Sequence, residues 1–137
     1  IEQTVALFRG IFAQVEFEAD LAADLPDSLQ LDPEQMKRVL INIFDNAIEA
    51  MNKKGKIRVR AVFEKRQQQV SIEISDTGPG ISIEDKTKLF LPYFSTKKKG
   101  TGLGLAIVNQ IIREHNGSIR VENVQPTGAR FTIQLPA

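Results

Sequence analysis

The strands that this sequence predicts alternate apolar and polar residues, and this alternation is what most limits the fold. Apolar side chains occupy every second position in residues 57–63 and again in residues 70–74, a period typical of strands with one buried face. A sheet of such strands needs cover on one side only. Because helical segments are available as cover, the sequence predicts an α+β fold, a two-layer sandwich with helices on one face of a sheet.

Three segments have the spacing of apolar residues that is typical of amphipathic helices. The longest begins where Asp32, a helix-capping residue, precedes Pro33 at the first helical position, and Gly55 is predicted to close it. The predicted helices are residues 1–14, about 33–51 and 105–115, with a shorter one within 84–91. The other predicted strands are residues 15–19, 118–123 and 129–136.

The composition indicates a single domain over residues 1–137, long enough to bury a substantial core. A net charge of +1 does not favour nucleic acid as a partner, and the absence of cysteine excludes disulfides and thiolate metal sites. The apolar runs are too short for a membrane span or a signal peptide, so a cytoplasmic location is expected. Because the chain begins with Ile1 rather than Met, we expect a fragment of a longer protein, whose sensor region and any inner-membrane anchor lie outside it.

Asp76 stands out because the alternation directs its carboxylate toward the apolar side of the sheet. It continues the parity of Ile72 and Ile74, and a buried carboxylate is unfavourable unless donors meet it. The carboxylate could accept a hydrogen bond from a ligand amine, while Gly78 and Gly80 let the backbone pass close to a flat ring. The alternative is a tight turn that the aspartate caps, with no ligand.

Asn42 and Asn46 share one face of the longest predicted helix, opposite its apolar stripe. Asparagine is a poor residue for the middle of a helix, so two at this spacing call for an explanation. Their amide oxygens could contact a hard cation such as magnesium, which keeps several waters and takes phosphate oxygens as further ligands. The alternative is an ordinary solvated polar face.

The segment GTGLGLA, residues 100–106, places three glycines at the start of a predicted helix. Free N–H groups and the helix dipole favour phosphate at such a position. Residues 80–87 do not form a Walker A loop, because Asp85 stands where the second glycine belongs. A dinucleotide-binding fingerprint is also disfavoured, since no strand directly precedes Gly100 and the third glycine is misplaced.

Five short motifs, in this order, resemble the N, G1, F, G2 and G3 boxes of the catalytic domains of sensor histidine kinases. The resemblance covers about residues 29–136, and the larger family includes gyrase, heat-shock chaperone and mismatch-repair ATPases. It implies a Bergerat-type ATP-binding fold, with helices on one face of a mixed, mostly antiparallel sheet. The motifs are NIFDNA (42–47), DTGPG (76–80), LFLPYF (89–94), GTGLGL (100–105) and GARF (128–131).

The resemblance implies that ATP is the ligand and assigns residues to its adenine ring. Asp76 would receive the adenine amino group. The residues expected to border the ring are Gly78, Gly80, Ile81 and Thr132.

The resemblance also assigns residues to the phosphates. Asn46 would hold magnesium (Mg2+) against them, with Asn42 nearby, while Phe90 and Phe94 would anchor one end of a lid. Lys97 is a candidate phosphate contact, although Lys98 or Lys99 could substitute and the lysine run could also be a solvated loop. The residues expected to border the phosphates are Gly100, Thr101, Gly102, Leu103 and Gly104.

The reaction that the resemblance implies is phosphoryl transfer, because Asn42 stands where the hydrolytic relatives carry a glutamate that activates water. The chain would be the catalytic domain of a protein histidine kinase, donating the γ-phosphoryl group to a histidine on a separate dimerisation domain for relay to a response-regulator aspartate. The full-length protein is expected to be a homodimer. The alternatives are a conformational ATPase and a non-catalytic nucleotide-sensing or docking module.

His115, the one histidine of the chain, is expected to be structural because it lies in the last turn of a predicted helix, just before Asn116 and Gly117. The acceptor domain is expected to be absent, so the isolated chain would bind ATP or ADP without phosphorylating itself. Within the family, residues 46–51 and the segment from Phe94 to Leu105 look most like nitrogen-regulation sensor kinases.

Overall fold

The computed structural model describes residues 1–11, 14–26, 31–88, 90–91 and 104–137. The four helices of this part of the chain are α1 (Glu2–Ile11), α2 (Pro33–Ala50), α3 (Ile83–Lys88) and α4 (Gly104–Glu114). The five strands are β1 (Val15–Leu21), β2 (Gly55–Glu64), β3 (Gln69–Asp76), β4 (Ser118–Asn123) and β5 (Ala129–Pro136).

The strands form one sheet in the order β1-β2-β3-β5-β4. β1 pairs with β2 in parallel, and the other three pairings are antiparallel. Apolar residues of α1, α2 and α4 share one core with the alternate residues of the strands. The predicted α+β sandwich, with helices on one face of a mixed, mostly antiparallel sheet, is therefore confirmed.

Three phenylalanines lock α1, β1 and α2 together within this core. The ring of Phe44 meets those of Phe8 and Phe17 at centroid distances of 5.3 and 5.5 Å, and Phe8 and Phe17 lie 6.1 Å apart. All three contacts are edge-to-face, the geometry that aromatic rings favour. Because Phe44 is 0% exposed, it fixes α2 over the sheet.

The end of α2 differs from the prediction that Gly55 closes the helix. The helix ends at Ala50, and Asn52 and Lys53 take positive φ values of 54° and 63°, which turn the chain back toward the sheet. Gly55 is instead the first residue of β2, where a Cβ would come within 2.6 Å of the Met51 sulfur. The left-handed residues, not the glycine, end the helix.

The sheet face opposite the helices carries a ladder of ion pairs. Glu18–Lys56 joins β1 to β2, Arg60–Glu73 joins β2 to β3, and Arg130 bonds both Glu73 and Glu122 of the neighbouring strands. Exposed pairs of this kind add little stability singly, but they match charges across all five strands and so favour this register. No helix in the described part of the chain is long and apolar enough to cross a membrane.

Phe44→Ala should lower the free energy of unfolding by about 3–5 kcal/mol, because it removes a fully buried ring and leaves a cavity at the meeting of α1, β1 and α2. Urea unfolding followed by circular dichroism measures this. Leu7→Ala is the matched control, since Leu7 of α1 is 48% exposed, and it should change stability by about 0.5 kcal/mol or less. Equal losses in the two variants would contradict this view of the core.

Candidate functional site

Asp76 is the last residue of β3, and its side chain is 6% exposed on the helix side of the sheet. Its Oδ1 accepts hydrogen bonds from the N–H of Gly78 at 2.9 Å and from the N–H of Ala129 at 3.3 Å. Its Oδ2 accepts none from the described residues. One oxygen is therefore committed to the fold, and the other is available to a ligand.

Burial sets the protonation behaviour of this carboxyl. Loss of solvation raises the pKa of Asp76 above the ordinary value of an aspartate, while the N–H groups of Gly78 and Ala129 favour the charged form and offset only part of the rise. A hydrogen-bond donor brought to Oδ2 would favour the charged form further. A ligand that donates a hydrogen bond to Oδ2 would therefore stabilise the buried carboxylate.

Glycines pack the backbone closely around Asp76. Gly128 has φ +123°, and a Cβ there would collide with the carbonyl oxygen of Asp76. Gly80 has φ +83°, and a Cβ there would lie 2.8 Å from Oδ1 of Asn123. Both positions combine a backbone conformation that residues with a Cβ disfavour with a lack of space for that atom. Glycine at these two positions therefore lets the turn after β3 pack against the start of β5.

The C-terminal end of α2 borders the same turn. A Cβ on Gly78 would lie 3.6 Å from the backbone of Ala50 and 3.4 Å from Cγ of Met51. The hydroxyl of Thr77 donates to the Met51 sulfur at 3.4 Å and accepts from the N–H of Lys56 at 3.1 Å. Met51 therefore forms a wall of the site, a role that its place at the end of the predicted helix did not reveal.

Asn42 and Asn46 lie half-buried on α2. The Nδ2 of Asn42 donates to the carbonyl oxygen of Gly104 at 3.3 Å, which ties the middle of α2 to the first residue of α4. The described residues hold no group of three or more His, Cys, Asp or Glu side chains that could bind a metal ion by themselves. Amide oxygens are ligands that suit Mg2+ when phosphate and water supply the rest, so the residues present fit that ion bound together with a phosphate ligand.

The segment expected to border the phosphates is described only at its end. Gly104 opens α4 as predicted, whereas Lys97, Gly100, Thr101, Gly102 and Leu103 lie outside the described residues. Of the two predicted lid anchors, Phe94 also lies outside them. Phe90 is described, and its ring meets that of Phe131 edge-to-face at 6.3 Å.

Thr132 pairs with Glu73 in the β3–β5 register and shares the sheet face of Arg130, whereas Asp76 faces the helices. Ala129 is the β5 residue whose N–H bonds Asp76. The predicted place of Thr132 beside the ring stays a prediction.

His115 has a structural role. Its Nε2 accepts the N–H of Asp32 at 3.1 Å, and its Nδ1 lies 2.8 Å from the carbonyl oxygen of Ile111. Since an N–H can only donate and a carbonyl can only accept, these two contacts correspond to the tautomer with its proton on Nδ1. Both ring nitrogens are used in joining the end of α4 to the cap of α2, as the sequence led us to expect.

Residues 31–137 match the family described as histidine kinase-, DNA gyrase B- and HSP90-like ATPases. The signal transduction histidine-protein kinase AtoS of Escherichia coli is 41% identical over 138 residues, covering 99% of this chain and 22% of AtoS. The sensor histidine kinase ZraS of Salmonella typhimurium is 44% identical over 108 residues, covering 79% of this chain and 23% of ZraS. The chain thus spans about a quarter of the length of these relatives.

Solved structures of histidine kinases share the fold. The catalytic domain of ThkA superposes with a TM-score of 0.86 at 34% identity, covering 98% of this chain and 88% of that one. ThkA in complex with the response regulator protein TrrA gives 0.79 at 31% identity, covering 98% and 38%. Full-length ShkA in complex with AMPPNP gives 0.85 at 25% identity, covering 98% and 28%.

Asp76→Asn should leave the chain at least as stable as the original at neutral pH, because the amide oxygen can accept both N–H groups without burying a charge. The pKa of Asp76 is higher in the folded than in the unfolded chain, so the unsubstituted chain loses stability as pH rises through the interval between these values. Urea unfolding at several pH values should show the difference shifting in favour of the variant with rising pH and then levelling. A shift in the opposite direction would contradict the raised pKa.

Proposed function

The chain belongs to the family of histidine kinase-, DNA gyrase B- and HSP90-like ATPases, and we propose that it is the ATP-binding catalytic domain of a two-component sensor histidine kinase. The observation that carries this proposal is the buried carboxylate of Asp76, with Oδ1 held by two backbone N–H groups and Oδ2 available. The solved structure of ShkA, which shares this fold, contains the nucleotide AMPPNP.

Adenine recognition would depend on the fixed orientation of Asp76. A charged acceptor attracts the exocyclic amine of adenine more strongly than a neutral one would, and it repels the carbonyl oxygen that guanine and hypoxanthine carry at the same ring position. Gly78 and Ile81 would border the ring, with Gly80 holding the turn close to it. Selectivity for adenine therefore follows from the one carboxylate oxygen that the fold leaves open.

The phosphates would lie between α2 and the start of α4. Asn46 would present its amide oxygen to Mg2+, which when bound neutralises part of the phosphate charge. Asn42, by donating to Gly104, holds the N-terminus of α4 against α2. This contact aims the positive end of the helix dipole at the phosphate position before the nucleotide arrives.

Transfer to a protein side chain is favoured over hydrolysis by the chemistry of Asn42. An amide cannot take a proton from water as a carboxylate can, and the NH2 group of Asn42 is already bonded to Gly104. With no base at this position, the γ-phosphoryl group would remain intact until an acceptor reaches it. Positioning and charge neutralisation would then supply most of the catalysis.

The acceptor would be a histidine on a dimerisation domain elsewhere in the protein. His115 is unsuited, because both of its ring nitrogens are engaged within the fold. The greater length of AtoS and ZraS leaves room for such a domain, and the complex of ThkA with TrrA supports a response regulator as the next acceptor.

Because ATP is a cytoplasmic substrate, the domain would act in the cytoplasm. Its similarity to nitrogen-regulation kinases stays a prediction.

Calorimetry should show saturable binding of ADP and of a non-hydrolysable ATP analogue, strengthened by Mg2+. Asp76→Asn should weaken ADP binding by about ten- to a hundredfold, since it replaces a charged acceptor with a donor while keeping the bonds to the fold. Inosine diphosphate is the matched comparison ligand for ADP, because its hypoxanthine ring carries a carbonyl oxygen in place of the adenine amine. The unsubstituted chain should strongly prefer ADP, and the variant should lose or reverse that preference. Equal affinity of the unsubstituted chain for the two ligands would contradict the assigned role of Asp76.

Phosphotransfer is best tested in the full-length protein with radiolabelled ATP. We expect label on a histidine outside residues 1–137, abolished by Asp76→Ala and retained in His115→Gln. Label that disappears only with His115→Gln would contradict the structural role of that histidine. Steady release of inorganic phosphate without labelled protein would favour a conformational ATPase, and nucleotide binding with neither outcome would favour a sensing or docking module.

A further inference from the structure

Asn123, the last residue of β4, uses its side-chain amide to pair with the backbone of Ile81. Its Oδ1 accepts the N–H of Ile81 at 2.8 Å, and its Nδ2 donates to the carbonyl oxygen of the same residue at 2.8 Å. A peptide group in a neighbouring strand would offer the same donor and acceptor. The Asn123 side chain therefore fixes the Ile81 backbone as one more step of sheet pairing would.

The Asn123–Ile81 pairing restrains residues 77–81, a segment whose own sequence does not fix its conformation. Residues 77–81 lie between β3 and α3 without regular structure, and Gly80 takes the left-handed conformation. A Cβ on Gly80 would also lie 2.8 Å from Oδ1 of Asn123, closer than a Cβ normally approaches another atom. Two bonds of good length on Ile81 remove most of the freedom that these features would otherwise allow.

The β4–β5 hairpin also holds the other end of this segment. Asn123 is paired with Ala129 in the sheet register, Val124 donates to the carbonyl oxygen of Gly128 at 3.0 Å, and the Ala129 N–H bonds Asp76. The base of the hairpin thus contacts both Asp76 and Ile81. The base of the β4–β5 hairpin therefore fixes the Asp76 carboxylate and the segment proposed to border the ring relative to each other.

We propose that Asn123 is a positioning residue for the adenine site, a role that rests on the proposed function. By fixing Ile81 and Gly80 relative to Asp76, it keeps the space for the ring open at the correct width. It does not touch the nucleotide, and it acts through Ile81. Nucleotide binding to a chain without this amide must order the segment at the cost of affinity.

The test is a titration of the chain with ADP and Mg2+, followed by NMR, for two variants of Asn123 and one control variant. Asn123→Ala removes both bonds. Asn123→Asp keeps the shape and the acceptor but places a second oxygen against the carbonyl of Ile81. Both Asn123 variants should weaken ADP binding by about three- to tenfold, near the worth of one net hydrogen bond. The Ile81 amide should exchange with solvent faster in the Asn123→Ala variant without ADP.

Val70→Ala is the control for a merely structural role. Val70 is 4% exposed and belongs to the start of β3, at the end of the strand remote from Asp76. It should lower the melting temperature at least as much as Asn123→Ala while leaving ADP affinity unchanged.

Three results would overturn the inference. ADP affinity that is unchanged by both Asn123 variants would remove the role while leaving the proposed function intact. Equal weakening by Val70→Ala would reduce the effect to general stability. Absence of ADP binding by the unsubstituted chain would contradict the proposed function and this inference together.

Discussion

The carboxylate of Asp76 is held at the end of β3 by two backbone N–H groups, one from the turn that follows and one from β5. Much of the site depends on this arrangement. It brings the turn, the start of β5 and the end of α2 within contact distance, and it requires glycine where the backbones approach most closely. The helix layer supplies the burial that raises the pKa of the carboxyl. The fold thus bears the unfavourable burial of a charge in order to present one oriented oxygen.

The two helices that border the proposed phosphate position, α2 and α4, are tied to each other at two places in the described part of the chain. Asn42 bonds Gly104 at the start of α4, and His115 at its end accepts the N–H of Asp32 at the cap of α2. Helices joined in this way cannot readily slide along each other. The residues proposed for the phosphates and those proposed for the ring are therefore held in one geometry, which is the condition for positioning a reactive phosphoryl group.

Local periodicity predicted most of the fold, because strands and helices with one buried face show that face in the sequence. It also identified Asp76, because this residue occupies one of the alternate positions of β3 that otherwise carry apolar side chains. The alternation of Phe131 and Ile133 places Thr132 on the opposite face with Arg130, whereas its predicted place beside the ring came from the resemblance alone. The pairing of Asn123 with Ile81 joins residues far apart in sequence, and nothing local marks it. The same holds for His115 and Asp32, whose bond depends on how α4 packs against α2.

The most direct test of this account is a crystal structure of the chain with ADP and Mg2+. The account predicts that the adenine amine lies about 2.7–3.1 Å from Oδ2 of Asp76, that Oδ1 keeps its bonds to Gly78 and Ala129, and that Asn46 faces the phosphates. A complex in which the adenine ring lies elsewhere, with Oδ2 bonded only to water, would contradict the central claim that this carboxylate selects the ligand.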